Sequence, residues 1–418
     1  MKRTAPDRTI NQPKPVQRVE VRDGHFKARI TLVVLAVVVA VSAFSVGIAA
    51  LTSVSDGWQE IEVSSSGAMN CSQDFYFNYY LGASGISATA ELKAVTALYT
   101  QATEHAYQVF NGMAPAEGFG NLFYLNRNPN TPVQVDELLY QAFAQADALG
   151  SRYLFMAPVL AEYTSLFYCT EDWETEGFDP YQNDELRDYL AQAAAFARDP
   201  QSISITLMGD NTLKLNVSDE YAAFAKENGV MNLVDFDWLK NAFIIDYLAQ
   251  VMEDAGYTRG AISSYDGFVR CLGEEQLVYS FNLYDRLESG SICAAGRLNY
   301  QGGTSLVNLH SFVLNPEKET YAYQFADGTV RTAHVDMADG LSKQTLPALI
   351  GTSRDAGCGE ILLRLLPYYA ADQLDEAGLL ALADQGVYPA YARGKTIVST
   401  SPYVTVDHLF DGYTLAQP

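Results

Sequence analysis

Leu233-Val-Asp-Phe-Asp-Trp-Leu-Lys-Asn-Ala-Phe-Ile-Ile-Asp-Tyr-Leu-Ala-Gln-Val-Met252, followed by Gly260-Ala-Ile-Ser-Ser-Tyr-Asp-Gly-Phe-Val-Arg270, is the stretch that decides the fold. Leu233-Val234 reads as a short apolar strand, and Asp237 is placed to cap a helix. Trp238, Leu239, Ala242, Phe243, Ile245, Leu248 and Met252 recur at helical spacing, which gives that helix one apolar stripe. Gly256 ends it. Gly260 to Ser264 then reads as a buried strand, and Tyr265-Asp266-Gly267-Phe268 turns the chain back into a second strand at Val269-Arg270. From the residues alone this is a core helix with its return strand.

Working outward, Ser87 to Phe110 reads as a long helix capped by Ser87, with Leu92, Val95, Leu98, Tyr99 and Ala102 on one stripe. A second helix runs from Asp136 to Leu149, and Ser151 to Leu160 is core-like. Asp184 to Arg198 is helical, and Ser202–Leu207 and Thr212–Asn216 form a β-hairpin around Gly209-Asp-Asn. Strands follow near 277–281, 291–292 and 304–308. Asp327-Gly328 turns another hairpin, a helix opens near Glu360, and the last helix, Asp372 to Gln385, stops at Gly386 before the closing strands of 387–404.

Val234 to Asp246 resembles the Leu-Asp-Leu-Gly-Gly-Ile-Ala-Lys-Gly-Tyr-Ala-Val-Asp pattern of the ApbE-type flavin transferases. Spacing, both aspartates and the helix-to-strand order agree, and Asp237-Trp238 stands in place of Gly-Gly, with Lys240-Asn241 in place of Ala-Lys. Leu122, Leu125 and Asn126 match a second family segment, and Leu154 and Met156 replace an Asp and a Thr in a third. Ala333 to Gly340 is similar to His-Ile-Ile-Asp-Pro-x-Thr-Gly, with Asp336 and Gly340 kept. His334 falls one position late, so on a strand its side chain points to the other face. Gly351 to Gly359 takes the place of the family's metal-binding Ala-Asp-Ala-Leu-Ala-Thr.

The resemblance implies a single α+β domain of the ApbE type over residues 67–418, and FMN transfer from FAD to a Ser or Thr hydroxyl of an extracytoplasmic protein. It implies Asp235, Asp237, Lys240, Asp266, Gly267 and Asp336 as cofactor-binding residues, with FAD as the donor substrate. For Mg2+ it implies Asp355 and the backbone carbonyl of Lys240, while Gly359 stands where a ligating Thr is expected. Attack on the phosphorus needs a metal and close backbone approach to the diphosphate. A carboxylate and an indole in the glycine turn crowd that approach, and the carboxylate repels the phosphates. Two readings follow: a membrane-anchored FMN transferase-like protein with weakened or lost catalysis, or a non-catalytic surface module on the same fold that binds a flavin or a partner.

The first 29 residues carry eight Lys/Arg against three Asp/Glu, and Ile30 to Leu51 is an uncharged run of 22 residues. That length crosses a hydrocarbon core, and the basic flank places the tail in the cytoplasm. The expected organisation is a tail at 1–29, a transmembrane helix at 30–51, a tether at 52–66 and an extracytoplasmic domain at 67–418, in a single-pass cell-membrane protein. Beyond the tail, 19 basic and 47 acidic residues leave a charge of −28, which excludes nucleic acid as a partner. The partner expected is an extracytoplasmic flavin-acceptor protein or another surface protein. Five cysteines form no Cys-x-x-Cys pair and five histidines lie far apart. No Gly-x-Ser-x-Gly, Walker loop or Gly-x-Gly-x-x-Gly competes.

Overall fold

A computed structural model describes residues 54–64, 68–273, 276–316, 318–410 and 412–416. The tail and the anchor segment lie outside the described residues. Among those described, no helix is long and apolar enough to cross a membrane. The compact unit begins at Ser55.

Seventeen strands are described: β1 Gly57–Glu60, β2 Phe75–Leu81, β3 Pro132–Gln134, β4 Ile203–Leu207, β5 Thr212–Val217, β6 Gly260–Ser264, β7 Phe268–Cys271, β8 Val278–Arg286, β9 Ile292–Gln301, β10 Ser305–His310, β11 Ala322–Gln324, β12 Val330–Thr332, β13 Ala348–Ser353, β14 Tyr388–Arg393, β15 Thr396–Ser399, β16 Thr405–Asp407 and β17 Thr414–Leu415. The α-helices are α1 Ala88–Val109, α2 Leu122–Arg127, α3 Glu137–Ala148, α4 Ala157–Phe167, α5 Asp184–Arg198, α6 Asp219–Glu227, α7 Lys240–Asp254, α8 Cys358–Tyr369 and α9 Glu376–Ala381. A nine-stranded sheet in the order β1-β2-β6-β7-β10-β13-β14-β15-β17 forms the centre. It is antiparallel except for the β15–β17 pair.

The period of two along β13 explains the layers. Ala348 and Ile350 face the three-stranded sheet β16-β9-β8 and join a core with Leu298, Leu306, Ala390 and Ile397. Gly351 faces the other way, where an added Cβ would lie 2.6 Å from Leu365 and 2.8 Å from Ile361 of α8. Glycine here lets α8 approach the sheet closely. Helices α7 and α8 cover that face of the central strands.

The central stretch folds largely as its pattern predicts: α7 buries Ala242, Phe243, Ile245, Leu248 and Met252, and β6 and β7 pair antiparallel behind it. Two expectations change. Leu233-Val234 is buried but is no strand, because its amides are satisfied by the side chain of Asn126. Asn126 Oδ1 accepts from Leu233 N at 2.8 Å and Val234 N at 3.1 Å, and its Nδ2 donates to Val234 O at 2.8 Å. Asp237 caps no helix in the expected way. It sits at φ 46°, the left-handed region that favours glycine, and its carboxylate accepts from the adjoining Trp238 N at 2.8 Å. Asp237 thus stands, in place of the glycine of the resembling pattern, in a backbone conformation that suits glycine.

Other expectations hold in detail. Ser87 accepts from Ala90 N at the start of α1, and Asp136 accepts from Leu138 N at the start of α3. The 202–216 hairpin is β4–β5, and the Asp327-Gly328 turn joins β11 to β12. Residues 57–60, read as part of a tether, form β1 on the sheet edge, paired with β2 from Gly57 to Glu60.

Candidate functional site

The turn into α7 gathers three of the expected site residues, Asp235, Asp237 and Lys240. Asp235 Oδ1 accepts from Asp237 N at 3.1 Å and its Oδ2 accepts from Asn232 Nδ2 at 2.8 Å, which fixes the turn. Burial, reinforced by the charge of Asp235, pushes the Asp237 carboxyl up to about 6, against the pull of Lys240 and the Trp238 amide. For Lys240, burial works to lower the ammonium's affinity for its proton. The field of Tyr321, Asp237, Asp235 and Asp74 outweighs it and holds Lys240 above the usual lysine range.

Asp266 joins the same group from the β6–β7 turn. Its Oδ2 accepts from Asn241 Nδ2 at 2.5 Å. Burial first, then Asp74 and Glu319, push it up to about 7 despite the Asn241 hydrogen bond and Lys240. Gly267 holds the turn at φ 94°, its carbonyl accepting from Asn308 N at 2.8 Å, and a Cβ there would lie 2.3 Å from Asn308 O. A cleft of about 250 Å³ lined by Asp74, Tyr265, Asp266, Lys318 and Tyr321 opens beside this cluster. The arrangement can hold a proton near neutrality and presents mainly carboxylates.

Trp238 fills the space behind it. The indole is 3% exposed, stacks on Phe268 at 6.1 Å between ring centres, and meets His334 edge-on at 4.9 Å. The cavity left between Trp238, Asp266, His310, Tyr321 and His334 is about 40 Å³. His334 therefore faces the cluster rather than away from it. The backbone at 333–336 makes only an isolated bridge, Val335 to Ser342, so strand alternation does not govern it. Burial and His310 hold the His334 imidazole neutral, down at about 3.

Asp336 and Asp355 stand elsewhere. Asp336 Oδ1 accepts from Ala338 N at 2.8 Å, and its Oδ2 lies 2.9 Å from Lys343 Nζ. Lys343 Nζ also lies 2.7 Å from Asp339 and 2.8 Å from Asp372, so Asp336 belongs to a carboxylate cage around a lysine. Asp355 is exposed and caps no helix. It lines a cleft of about 760 Å³ with Glu137, Gln141, Gln145, Phe243, Asp246 and Arg270. The α8 N-terminus is capped instead by Asp246, whose carboxylate accepts from Cys358 N at 2.8 Å and Gly359 N at 2.9 Å.

Sequence reasoning did not single out Asp74, Tyr321 or Arg270, and met Asn241 only as the replacement for the lysine of the family pattern. Asp74 and Tyr321 are brought in by long-range folding and carry no local signal. Arg270 does carry one: it is a charged residue in the otherwise apolar strand Phe-Val-Arg-Cys.

The crystal structure of the ApbE protein of Thermotoga maritima is similar to this chain, with a TM-score of 0.53 over 82% of this chain and 94% of that one at 11% identity. The fold is ApbE-like. A mutant of the flavin transferase ApbE from Vibrio cholerae is similar over 85% of this chain and 98% of that one, at 12% identity and a TM-score of 0.48. No protein-family model and no curated protein matches the chain. At these identities the likeness is one of fold.

The residues set in the ApbE-like frame do not suit the groups that the resemblance implies. Among the described residues, no three His, Cys, Asp or Glu form a group that could hold a metal ion, the three carboxylates around Lys343 being taken by its ammonium. Gly359 offers no side chain, and a Cβ there would lie 2.9 Å from both Gln145 Oε1 and Phe243. For a dinucleotide, a cavity of about 40 Å³ behind the turn is far below the ~300–1,000 Å³ of small-molecule sites. The adjoining cleft sets Asp74 and Asp266 against the single cation Lys318, so a diphosphate would meet two carboxylates there.

Proposed function

We propose that this chain is a membrane-anchored extracytoplasmic binding module that keeps the flavin-transferase fold without the transfer of FMN from FAD. The observation that carries the reading is Trp238. Its buried indole, stacked on Phe268 and abutting His334, leaves a cavity of only about 40 Å³ behind the turn where the resemblance expects glycines. Asp237 beside it adds a carboxylate where the resemblance expects phosphate to approach, and among the described residues no convergent ligand set compensates with a metal. The anchor and the compartment rest on the uncharged run Ile30 to Leu51 behind its basic flank, and on the −28 charge of the remainder.

The test uses the full chain with FAD, Mg2+ and a flavin-acceptor protein carrying the target Ser or Thr. Calorimetry should record no FAD binding, and gel fluorescence should show no flavin on the acceptor. Covalent FMN on the acceptor, lost in Asp355→Ala, would overturn the reading in favour of a working transferase.

A further inference from the structure

Trp58 sits in β1 with its indole 46% exposed, only seven residues beyond Leu51, where the uncharged run ends. The register sets it opposite Tyr80 of β2, and the two rings meet edge-on at 5.6 Å between centres. Tyr279 of β8 also meets the indole edge-on, at 6.3 Å, and Arg259 lies over the Tyr80 ring at 4.8 Å.

The alternation of β2 explains why these rings stay outside. Phe75, Phe77, Tyr79 and Leu81 are buried on one face, Phe77 lying 5.2 Å from Tyr99 of α1, while Tyr76 and Tyr80 point the other way. On that second face the core shared with the sheet β16-β9-β8 takes residues from β7, β10, β13, β14 and β15, and none from β1 or β2. Tyr76 is accordingly 38% exposed, and Val278 at the start of β8 is 65% exposed. The outer face of β1 and β2 is thus aromatic without a core over it.

The partner follows from the length of the chain. Because β1 takes residues 57–60 into the sheet, the spacer after Leu51 is at most Thr52 to Asp56, and Trp58 lies within about 25 Å of the end of the uncharged run even at full extension. Tryptophan and tyrosine join an apolar ring to a polar edge, which suits the boundary between hydrocarbon and headgroups. Glu60 shares the face, opposite Asn78, so with Arg259 the patch carries both signs, as a zwitterionic headgroup does. A patch of this size holds no free domain on a membrane, but an anchor makes the contact intramolecular, and a weak preference is then enough.

We propose that the outer face of β1 and β2, centred on Trp58, rests in the headgroup layer of the membrane that carries the anchor. The inference rests on the membrane-anchored reading and is independent of flavin chemistry.

The experiment reconstitutes the full chain in phosphatidylcholine vesicles that contain headgroup-spin-labelled phosphatidylcholine, and reads flotation and tryptophan emission. The chain should float with the vesicles, and the label should quench part of the emission. Trp58→Phe should abolish that quenching while flotation persists. Trp173→Phe, at a side chain 76% exposed on another element, should keep it, and this variant decides if Trp58→Phe does not fold. Flotation without quenching, quenching that survives Trp58→Phe, or quenching lost in Trp173→Phe would overturn the proposal and leave the anchor standing. A chain that does not float would overturn the anchor reading and the proposal with it.

Discussion

Replacing Asp266 by Asn should stabilise the protein above neutral pH and do nothing in acid. The carboxyl is held at about 7 against an ordinary 3.8, chiefly by burial. Between those values the folded state keeps a proton that the unfolded chain has released, so stability falls as pH rises and the loss is complete above about 7. A rise of about three pH units, at about 1.4 kcal/mol each, is about 4 kcal/mol. Lys240, Asp74 and Glu319 face the same carboxyl and readjust when it is removed, and solvent reaches part of it, so about 2–4 kcal/mol is expected at pH 8. The Asn fits without repacking, because the buried Oδ1 of Asn241 lacks a hydrogen bond and can accept from its amide. Urea unfolding read by tryptophan fluorescence is the assay. Of the three tryptophans, Trp58 is 46% and Trp173 76% exposed, while Trp238, 3% exposed, lies beside Asp266 and reports on this region. A variant no more stable than the parent at pH 8, or one that keeps the parent's fall in stability between pH 4 and 7, would refute the reasoning.

Gly267→Ala should cost about 3 kcal/mol or more, since it strains a left-handed residue and drives a Cβ to 2.3 Å from Asn308 O; thermal unfolding measures it. Asn126→Ala should cost about 2–4 kcal/mol in urea unfolding, because it strands the buried amides of Leu233 and Val234. Asp246→Ala should cost about 1–2 kcal/mol by uncapping α8, with hydrogen exchange rising first at Cys358 and Gly359.

What the sequence made legible is what short-range physics determines. The stripe of α7, the Asp266-Gly267 turn, the hairpins, the Ser87 cap and the helix start at Asp136 each depend on residues within a few positions of one another. The ApbE-like frame was legible too, through spacing rather than identity. The rest is held across long separations. Leu233-Val234 reads as a strand because its residues are apolar, but its hydrogen bonds come from a carboxamide more than 100 positions away. Asp246 enters the sequence reading only as an aspartate kept within the family pattern, and it caps α8, 112 and 113 positions on. The cluster at Lys240 shows both limits. Asp235, Asp237 and Asp266 were named through the resemblance, whereas Asp74 and Tyr321 enter only when β2 and the segment before β11 are folded alongside.

The Lys343 cage bears on how the domain responds to the divalent ions around it. Three carboxylates converging on one point from the 336–340 turn and from Asp372 resemble the oxygen donors that other domains fill with a free divalent ion. Such an ion can be stripped by a chelator or lost on dilution. Here the positive charge is a covalent part of the chain, so its effective concentration is set by the polypeptide and not by the medium. The junction between that turn and the segment after α8 should therefore hold equally well in calcium-poor and calcium-rich surroundings.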